Sequence, residues 1–240
     1  PRDVHNLMIL SRHPIRSHRQ VYHDHVPPLA YRWACADPPA DEPVMVRWDR
    51  PLLHATIDVA GALVEVVNLH LRSPLPAAVP GQKRDAFTWK SSSAWSEGIF
   101  LAAMKRDGQA LEARIVVDEL LDSNMDARIA VCGDFNAMSF AEPLAIICAP
   151  VRETDDARLG RRALIPVETA VPKDRRFSVV HGGERVLLDH IAVSRGLFSG
   201  FSGAAIHHSG LSDELTDYHL GREIPGSHHA AVIADFDIDG

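Results

Sequence analysis

The chain contains 240 residues, which is the size of one ordinary domain. Apolar residues make up 46% and charged residues 24%, and these values exclude a disordered chain, a collagen-like fibre and a coiled coil. The net charge of -7 argues against a protein that coats nucleic acid without specificity. Histidine is unusually frequent, with 14 residues, and it is both a proton-transfer group near neutral pH and a common metal ligand.

The three cysteines, Cys35, Cys132 and Cys148, are scattered along the chain and form neither a disulfide framework nor a zinc knuckle. We therefore expect free thiols in a reducing compartment. The sequence has no apolar run of about 18 residues, as a membrane-spanning helix requires. It also has no secretory signal peptide. These features predict a cytoplasmic protein without a membrane span.

The first predicted elements are strands. Residues 6–10 form a short apolar run and predict a buried strand. A loop rich in His and Arg follows, and then a Pro-rich stretch that ends at Pro43. Residues 53–59 and 62–71 predict a β-hairpin, and residues 73–92, rich in Pro, Gly and Ser, predict a loop.

The second half begins with a predicted helix at 96–121, interrupted at Gly108. A strand at 129–132, a short helix at 143–149 and a charged loop at 150–176 come next. Further strands are predicted at 177–180, 186–193, 204–207 and 230–238. Successive strands with few helices between them predict a mixed α/β protein whose sheets are largely antiparallel.

Polar residues mark the ends of two apolar strands. Asn68 and His70 face the same side of their strand, and a histidine there can bind a phosphoryl oxygen or move a proton. Gly133 permits a sharp turn, after which Asp134 and Asn136 present a carboxylate and an amide. These groups can bind Mg²⁺, align a water or hold an anion oxygen. Each pattern alone is also compatible with an ordinary strand end or turn.

Acid and histidine residues mark two later strands of the sequence. Asp189 lies inside the apolar run 187–193, where an unpaired acid is costly. Its natural partner is a histidine, as in pairs that orient a general base, and the alternative is a structural cap or edge charge. His190 points to the opposite face and is interpreted as structural. The adjacent His228 and His229 precede the last strand and can be ligands, bases or neither.

The order of these segments resembles the endonuclease/exonuclease/phosphatase superfamily, which includes DNase I-like nucleases, abasic-site endonucleases, inositol polyphosphate phosphatases and sphingomyelinases. The family blocks read L-S-R-x-P-I, N-x-H, G-D-F-N, (I/L)-D-(H/Y) and S-D-H-x-P-V. The matching segments here are Leu10-Ser11-Arg12-His13-Pro14-Ile15, Asn68-Leu69-His70, Gly133-Asp134-Phe135-Asn136, Leu188-Asp189-His190 and Ser227-His228-His229-Ala230-Ala231-Val232. The resemblance runs from about residue 6 to the C-terminus.

The resemblance implies a four-layer sandwich, in which two packed mixed, largely antiparallel sheets are flanked by helices. It implies a single domain over residues 1–240. It also implies a divalent-metal-dependent phosphoester hydrolase, in particular a phosphodiesterase or nuclease. The expected substrates are a nucleic acid, a nucleotide or a phospholipid head group.

The same resemblance assigns roles to the marked residues. His229 would be the general base, and Asp189 would orient it and stabilise the imidazolium. Asn136 would hold the nucleophile and a phosphoryl oxygen, and His70 would bind that phosphate. Asp134 would align the nucleophile or bind the metal. The substrate-binding set would be Asn68, His70 and Asn136.

Two departures from the family pattern matter. Family members carry an Asn-bearing strand and a strand ending in Gln-Glu before the first block, and that Glu is their principal metal ligand. Both are missing here, so we expect a domain shortened at its N-terminus and completed by a partner or a longer gene product. His228 replaces the usual acid and Ala231 the usual proline. With Asp134 and His228 as ligands, the resemblance favours Mg²⁺, whereas the imidazole favours Mn²⁺ or Zn²⁺.

Three predicted loops are more positive than the chain as a whole. Residues 11–25, 71–92 and 152–176 carry net charges of +2, +3 and +2. This pattern favours an anionic substrate, although solvated loop charges are the alternative. Two other functions stay open. One is a degenerate relative that binds a phosphorylated ligand or a protein without hydrolysis, and the other is a zinc-binding protein that uses His228, His229, His207 or His208.

Overall fold

The computed structural model describes residues 7–85, 87–154, 156–224 and 226–238. The strands are β1 (Ile15–Val21), β2 (Leu29–Tyr31), β3 (Val44–Val46), β4 (Leu52–Val59), β5 (Ala62–His70), β6 (Arg128–Asp134), β7 (Ile165–Pro166), β8 (Val179–His181), β9 (Glu184–Val186), β10 (Asp189–Val193), β11 (Phe201–His207) and β12 (Ala231–Phe236). The helices are α1 (Ser92–Ser123), α2 (Glu142–Cys148), α3 (Val151–Thr154), α4 (Arg195–Phe198) and α5 (Glu214–Leu220).

A six-stranded sheet in the order β1-β4-β5-β6-β10-β7 forms the centre of the fold. Strands β5 and β6 are parallel, and their neighbours pair antiparallel. A parallel pair needs a crossover connection, and α1 supplies it. The crossover brings the C-terminal ends of β5 and β6 to the same edge of the sheet.

Helix α1 covers one face of this sheet. It begins after the N-cap Ser91, whose side chain accepts the N–H of Ala94. Ala110, Ala113 and Val117 on its inner side are fully buried, and their small size allows the helix to lie close to the sheet. The strand residues of the same buried cluster include Val67, Leu69, Ile129 and Val131.

The opposite face of the sheet is covered by the antiparallel pair β11–β12. Val64 and Val193 form a second buried cluster there, with Phe201 and Phe236 packed against it. Two packed sheets flanked by helices are therefore confirmed, with mixed and largely antiparallel strand pairing. Among the described residues the second sheet consists of two strands.

The N-terminal region differs from the sequence prediction. Residues 7–10 form no strand, and residue 6 lies outside the described part of the chain. Strand β1 instead lies in the segment predicted as a His- and Arg-rich loop, and six of its seven residues are exposed. It forms because its backbone pairs with β4, and an exposed edge strand needs no alternation of apolar residues.

Three further predictions were wrong in detail. Helix α1 runs through Gly108 without interruption because this position packs against Trp48: an added Cβ would lie 2.7 Å from the indole ring. The run 186–193 divides into β9 and β10, and Leu187 between them is buried in another cluster. The predicted loop at 150–176 also contains α3, β7 and short 3-10 turns.

A candidate active site at the strand ends

Strand register places three predicted site residues in one row. His70 at the end of β5 is the cross-strand partner of Asp134, and Asp189 at the start of β10 is its partner on the other side. Directly opposed residues share a face of the sheet, so all three side chains project toward β12. His70 Nε2 lies 3.2 Å from Asp134 Oδ2.

The turn after β6 depends on Gly133. Its φ is +134°, and an added Cβ would lie 1.9 Å from the carbonyl oxygen of Leu69. Glycine is therefore required where the two parallel strands approach each other most closely. The chain then turns at Asn136, whose φ is 47° and whose N–H donates to Asp134 Oδ1 at 2.7 Å.

The amide of Asn136 is held at the same strand ends. Its Nδ2 donates to the carbonyl oxygen of Leu71 at 3.0 Å and to Asp134 Oδ2 at 3.2 Å. These contacts fix the orientation of the amide beside the row formed by His70, Asp134 and Asp189. The predicted neighbourhood of Asp134 and Asn136 is thus present in the structure.

His229 completes the group from the loop before β12. Its Nδ1 lies 2.7 Å from Asp189 Oδ2, and because an ionised carboxylate only accepts, the imidazole donates this hydrogen bond. The bond to Asp189 raises the pKa of His229, burial acts in the opposite direction, and attraction to Asp189 and Asp134 adds to the rise. A neutral His229 would leave Nε2 as a proton acceptor.

The pKa of Asp134 is raised to about 6. Burial is the largest cause, and repulsion from Asp189 is the next. The N–H of Asn136 and the positive charges of His229 and Arg50 oppose the rise. Two carboxylates so close together disfavour each other's ionisation, and a bound cation would relieve the repulsion.

Among the residues that the structure describes, one set could hold a metal ion. Asp134, Asp189 and His229 each offer a ligand atom, and these atoms all lie within 4.8 Å of one another. Carboxylate oxygens suit Mg²⁺ and Mn²⁺, and imidazole suits softer ions such as Zn²⁺. Repulsion from Asp189 adds to burial in raising the pKa of Asp134, and a bound cation would relieve that repulsion.

His228 does not join this group. Its Nε2 lies 3.4 Å from Oδ2 of Asp217, which is a buried residue of α5 with 4% of its surface exposed. Neither of the two atoms has a hydrogen-bond partner, although both are shielded from solvent. Two adjacent histidines thus meet two different aspartates.

Asn68 lies two residues before His70 in β5, so both side chains project from the same face of the strand. Its Nδ2 donates to the carbonyl oxygen of Met8 at 3.0 Å, so the amide is engaged by the N-terminal segment. A cleft of about 430 Å³ opens beside it between the two sheets. Asn68, Asp189 and Met8 line this cleft together with Cys132 and Val232.

His190 is buried on the other face of the sheet, with 1% of its surface exposed. Its Nε2 lies 2.8 Å from the carbonyl oxygen of Ala137, and its Nδ1 contacts Glu168. Both ring nitrogens are engaged by buried groups. This environment agrees with the interpretation of His190 as structural.

Two residues near the site were missed by the sequence reasoning. Asp217 follows its N-cap Asp213 by four residues on a short polar helix, which is an ordinary helical pattern without a chemical signal. Arg50 lies in a turn before β4 and reaches the carbonyl oxygens at the end of β5. The predicted hairpin was the one available signal for Arg50. The first strand of a hairpin begins near the point where its second strand ends, so a residue just before β4 lies near the end of β5.

Solved structures of low sequence identity are similar to this chain in fold. The 3′ phosphatase NExo from Neisseria, solved with a product DNA hairpin, is 14% identical, with coverage of 95% of this chain and 73% of that chain and a TM-score of 0.50. An endonuclease/exonuclease/phosphatase from Beutenbergia cavernae DSM 12333 is 16% identical, with coverage of 96% and 47% and a TM-score of 0.50. The chain has the endonuclease/exonuclease/phosphatase fold. At these identities the likeness establishes the fold alone.

A family protein from Leptotrichia buccalis C-1013-b is 12% identical over 95% of this chain, with a TM-score of 0.49. The chain spans 63% of the length of the Leptotrichia protein and 47% of the Beutenbergia protein. No protein-family model and no curated protein matches the sequence. Within the described residues, no helix is both long enough and apolar enough to cross a bilayer.

Proposed function

We propose that the protein is a divalent-metal-dependent phosphoester hydrolase, and that a phosphodiester is its substrate. The observation that carries the proposal is the hydrogen bond between His229 and Asp189, 2.7 Å long and next to the carboxylate of Asp134. An acid–histidine pair beside a second carboxylate can activate a water and hold a cation at once. The fold, which hosts a 3′ phosphatase in Neisseria, agrees with this chemistry.

The residues divide the work as follows. His229 accepts the proton of the attacking water at Nε2, and Asp189 orients the ring through Nδ1 and stabilises the imidazolium. His70 and Asn136 donate hydrogen bonds to non-bridging oxygens of the phosphate, and the Nδ2 of Asn136 exchanges its bond to Asp134 Oδ2 for this one. Asp134 is the carboxylate best suited to the metal, because Asp189 is already engaged by His229. A bound cation would supply charge neutralisation on the phosphoryl oxygens.

Mg²⁺ is our first choice of metal, and Mn²⁺ or Zn²⁺ is the alternative if His228 turns toward Asp134. The substrate is a nucleic acid, a nucleotide or a phospholipid head group. We also propose that residues 1–240 act as one domain whose sheets gain further strands from a longer gene product or a partner. These proposals rest on the family resemblance of the site blocks.

The test is hydrolysis of bis(p-nitrophenyl) phosphate and of a labelled oligonucleotide. We expect turnover with Mg²⁺ or Mn²⁺, loss after EDTA treatment, and loss of most activity in Asp134→Ala. Asp126→Ala is the matched control, since Asp126 is an exposed aspartate whose contact is with Arg161 on the surface. Turnover that persists in EDTA, or an Asp134→Ala variant with the wild-type rate, would overturn the proposal.

A second function is favoured by one observation. His228 faces Asp217, and Asp189 is engaged by His229, so Asp134 is the one remaining carboxylate of the group. A site with a single available acid binds a metal weakly, which is expected of a protein that holds a phosphorylated ligand without hydrolysing it. Turnover by the wild-type protein with any divalent ion excludes this function.

A further inference from the structure

Arg50 has the features of an unused anion-binding group. Its side chain is half-buried in the turn before β4, and its Nε is shielded from solvent without a hydrogen-bond partner. Its Nη1 lies 3.4 Å from the carbonyl oxygens of His70 and Leu71, which is longer than a normal N–H···O bond. A guanidinium has five N–H donors, and a buried donor without a partner is costly.

The position of Arg50 links it to the proposed catalytic group. The carbonyl oxygen of Leu71 that Arg50 approaches also accepts the Nδ2 of Asn136 at 3.0 Å. The two side chains are therefore neighbours at the end of β5. The positive charge of Arg50 also acts on Asp134, since it is among the charges that oppose the rise in the pKa of that carboxyl.

The turn that carries Arg50 is held in place by a buried residue of α1. Gln109, with 1% of its surface exposed, donates through Nε2 to the carbonyl oxygen of Arg50 at 3.2 Å. The Oε1 of the same amide accepts the N–H of Arg72 at 2.9 Å, so one side chain fixes the backbone on both sides of the strand ends. Such support is typical of a binding group whose geometry is set before the ligand arrives.

A second arginine nearby shows the contrast. Arg72 donates through Nη1 to Ser73 Oγ at 3.1 Å and through Nη2 to the carbonyl oxygen of Leu75 at 3.2 Å. Its Nε lies 3.4 Å from Asp49 Oδ2. The guanidinium of Arg72 thus makes two hydrogen bonds within its own loop and an ion pair with Asp49, whereas that of Arg50 makes two long contacts with carbonyl oxygens and, among the described residues, no ion pair. The Nε of each arginine is shielded from solvent without a hydrogen-bond partner in the described part of the chain, so the difference lies in the other donors.

We propose that Arg50 binds a non-bridging oxygen of the substrate's phosphate, as a donor beside Asn136 that carries a full positive charge. This inference rests on the proposed function. It identifies Arg50 as the residue that favours an anionic group at this site. A planar guanidinium can give two parallel N–H···O bonds to a phosphate, which a lysine at the same place cannot do. Here the carbonyl oxygens of His70 and Leu71 hold Arg50 loosely until the anion arrives.

The experiment measures binding of inorganic phosphate by calorimetry in the presence of Mg²⁺, so no turnover is needed. We expect Arg50→Ala to weaken binding by roughly 10- to 100-fold, the range for a lost charge-assisted hydrogen bond. Arg50→Lys should recover part of the affinity, and Arg50→Gln, which keeps a donor for the carbonyl oxygens, should not. Arg47→Ala is the control, because Arg47 is exposed and lies three residues earlier in the same segment.

Wild-type affinity in a folded Arg50→Gln or Arg50→Ala variant would overturn the proposal, and so would a wild-type protein that binds no phosphate at millimolar concentration. The circular dichroism spectrum and Tm show which variants are folded, and Arg50→Gln serves if Arg50→Ala does not fold. Phosphate binding that depends on Arg50 without any hydrolysis by the wild type would support this role while the hydrolase proposal fails.

Discussion

His228 and His229 are neighbours in the chain, and each faces an aspartate, but the two pairs differ. His229 and Asp189 share a hydrogen bond of 2.7 Å, and the second carboxylate of Asp134 lies beside them. His228 and Asp217 lie 3.4 Å apart, and neither atom has a hydrogen-bond partner. The same residue types therefore serve different ends. In the proposed mechanism the first pair transfers a proton beside the carboxylate that would hold the cation, whereas the second pair lies between the loop and α5.

The largest expected effect is a difference in hydrolysis rate between variants of the two histidines. His229→Ala removes the proton acceptor, so we expect kcat/KM for a phosphodiester to fall roughly 10²- to 10⁴-fold. His228→Ala keeps that acceptor and should retain most of the rate. Steady-state hydrolysis of bis(p-nitrophenyl) phosphate measures both variants. Equal losses in the two variants would mean that the distinction between the pairs is wrong.

The next prediction separates the two aspartates by pH dependence. The bond to Asp189 raises the pKa of His229, so Asp189→Asn should lower that pKa. The base must be neutral to accept a proton, so the acidic limb of the pH–rate profile should shift to lower pH in Asp189→Asn. The maximal rate should also fall about 10²-fold or more, because the ring loses its orientation.

Asp217→Asn is the matched variant for this measurement. It changes the partner of His228 and leaves the bond between Asp189 and His229 in place. We expect its acidic limb to stay where the wild-type limb lies. A shift of the Asp217→Asn profile equal to that of Asp189→Asn would contradict the assignment of the base.

A third prediction concerns Asp134, whose carboxylate lies beside the His229–Asp189 pair. The pKa of Asp134, about 6 in the folded protein, lies above the ordinary value of 3.8 for an aspartate, so the folded state holds this proton more tightly than the unfolded state does. The unfolding free energy should therefore decline by about 3 kcal/mol as the pH rises from about 4 to above 6. Asp134→Asn should lack this decline and be more stable than the wild type at pH 7.

Thermal denaturation in metal-free buffer between pH 4 and pH 7.5 measures the difference. Asp126→Asn, a change at an exposed aspartate, should follow the wild-type curve. A divalent cation should stabilise the wild type more than Asp134→Asn, because the cation offsets the same repulsion. Parallel curves for the wild type and Asp134→Asn would show that Asp134 ionises without a cost.

The second pair should show its effect in stability. His228→Ala leaves the buried carboxylate of Asp217 without its partner, and we expect a loss of about 1–3 kcal/mol in unfolding free energy. The double variant His228→Ala/Asp217→Asn should recover part of that loss, because no unpaired charge remains buried. Chemical denaturation of the two single variants and the double variant measures the coupling. Additive losses would mean that the two residues do not interact.

The smallest expected effect lies in the loop that carries both histidines. The hydroxyl of Ser227 accepts the N–H of His229 at 3.0 Å. Ser227→Ala removes this local bond, and we expect a cost of about 1 kcal/mol or less, with the pH–rate profile unchanged. A profile that shifts in Ser227→Ala would show that this turn, more than Asp189, sets the ring of His229.

The sequence predicted the site better than its surroundings. The hairpin of β4 and β5 and the turn at Gly133 follow from apolar runs and glycine chemistry, so Asp134 and Asn136 were found where strands end. Pairing partners leave weaker signals. Strand β1 has no apolar alternation because its backbone alone holds it to the sheet, and Arg50 reaches the site through a turn distant in sequence.

The two adjacent histidines show the same limit in one place. Their spacing predicted that both lie near the last strand, and residue chemistry predicted that Asp189 needs a histidine. Which histidine meets which acid depends on the path of the loop and on α5, and neither leaves a pattern in the sequence. The partner of His228 therefore became visible in the structure.

The parallel pairing of β5 with β6 has a consequence for folding kinetics. His70 and Asp134 meet after closure of a loop that contains all of α1, and His229 joins from the loop before β12. Such non-local contacts form slowly, because the chain entropy of each closure is lost before the contact stabilises anything. The hairpin and α1 can form early, whereas the proposed site is complete only when β12 and the loop before it dock. During refolding, recovery of catalysis should therefore lag behind recovery of the helical signal.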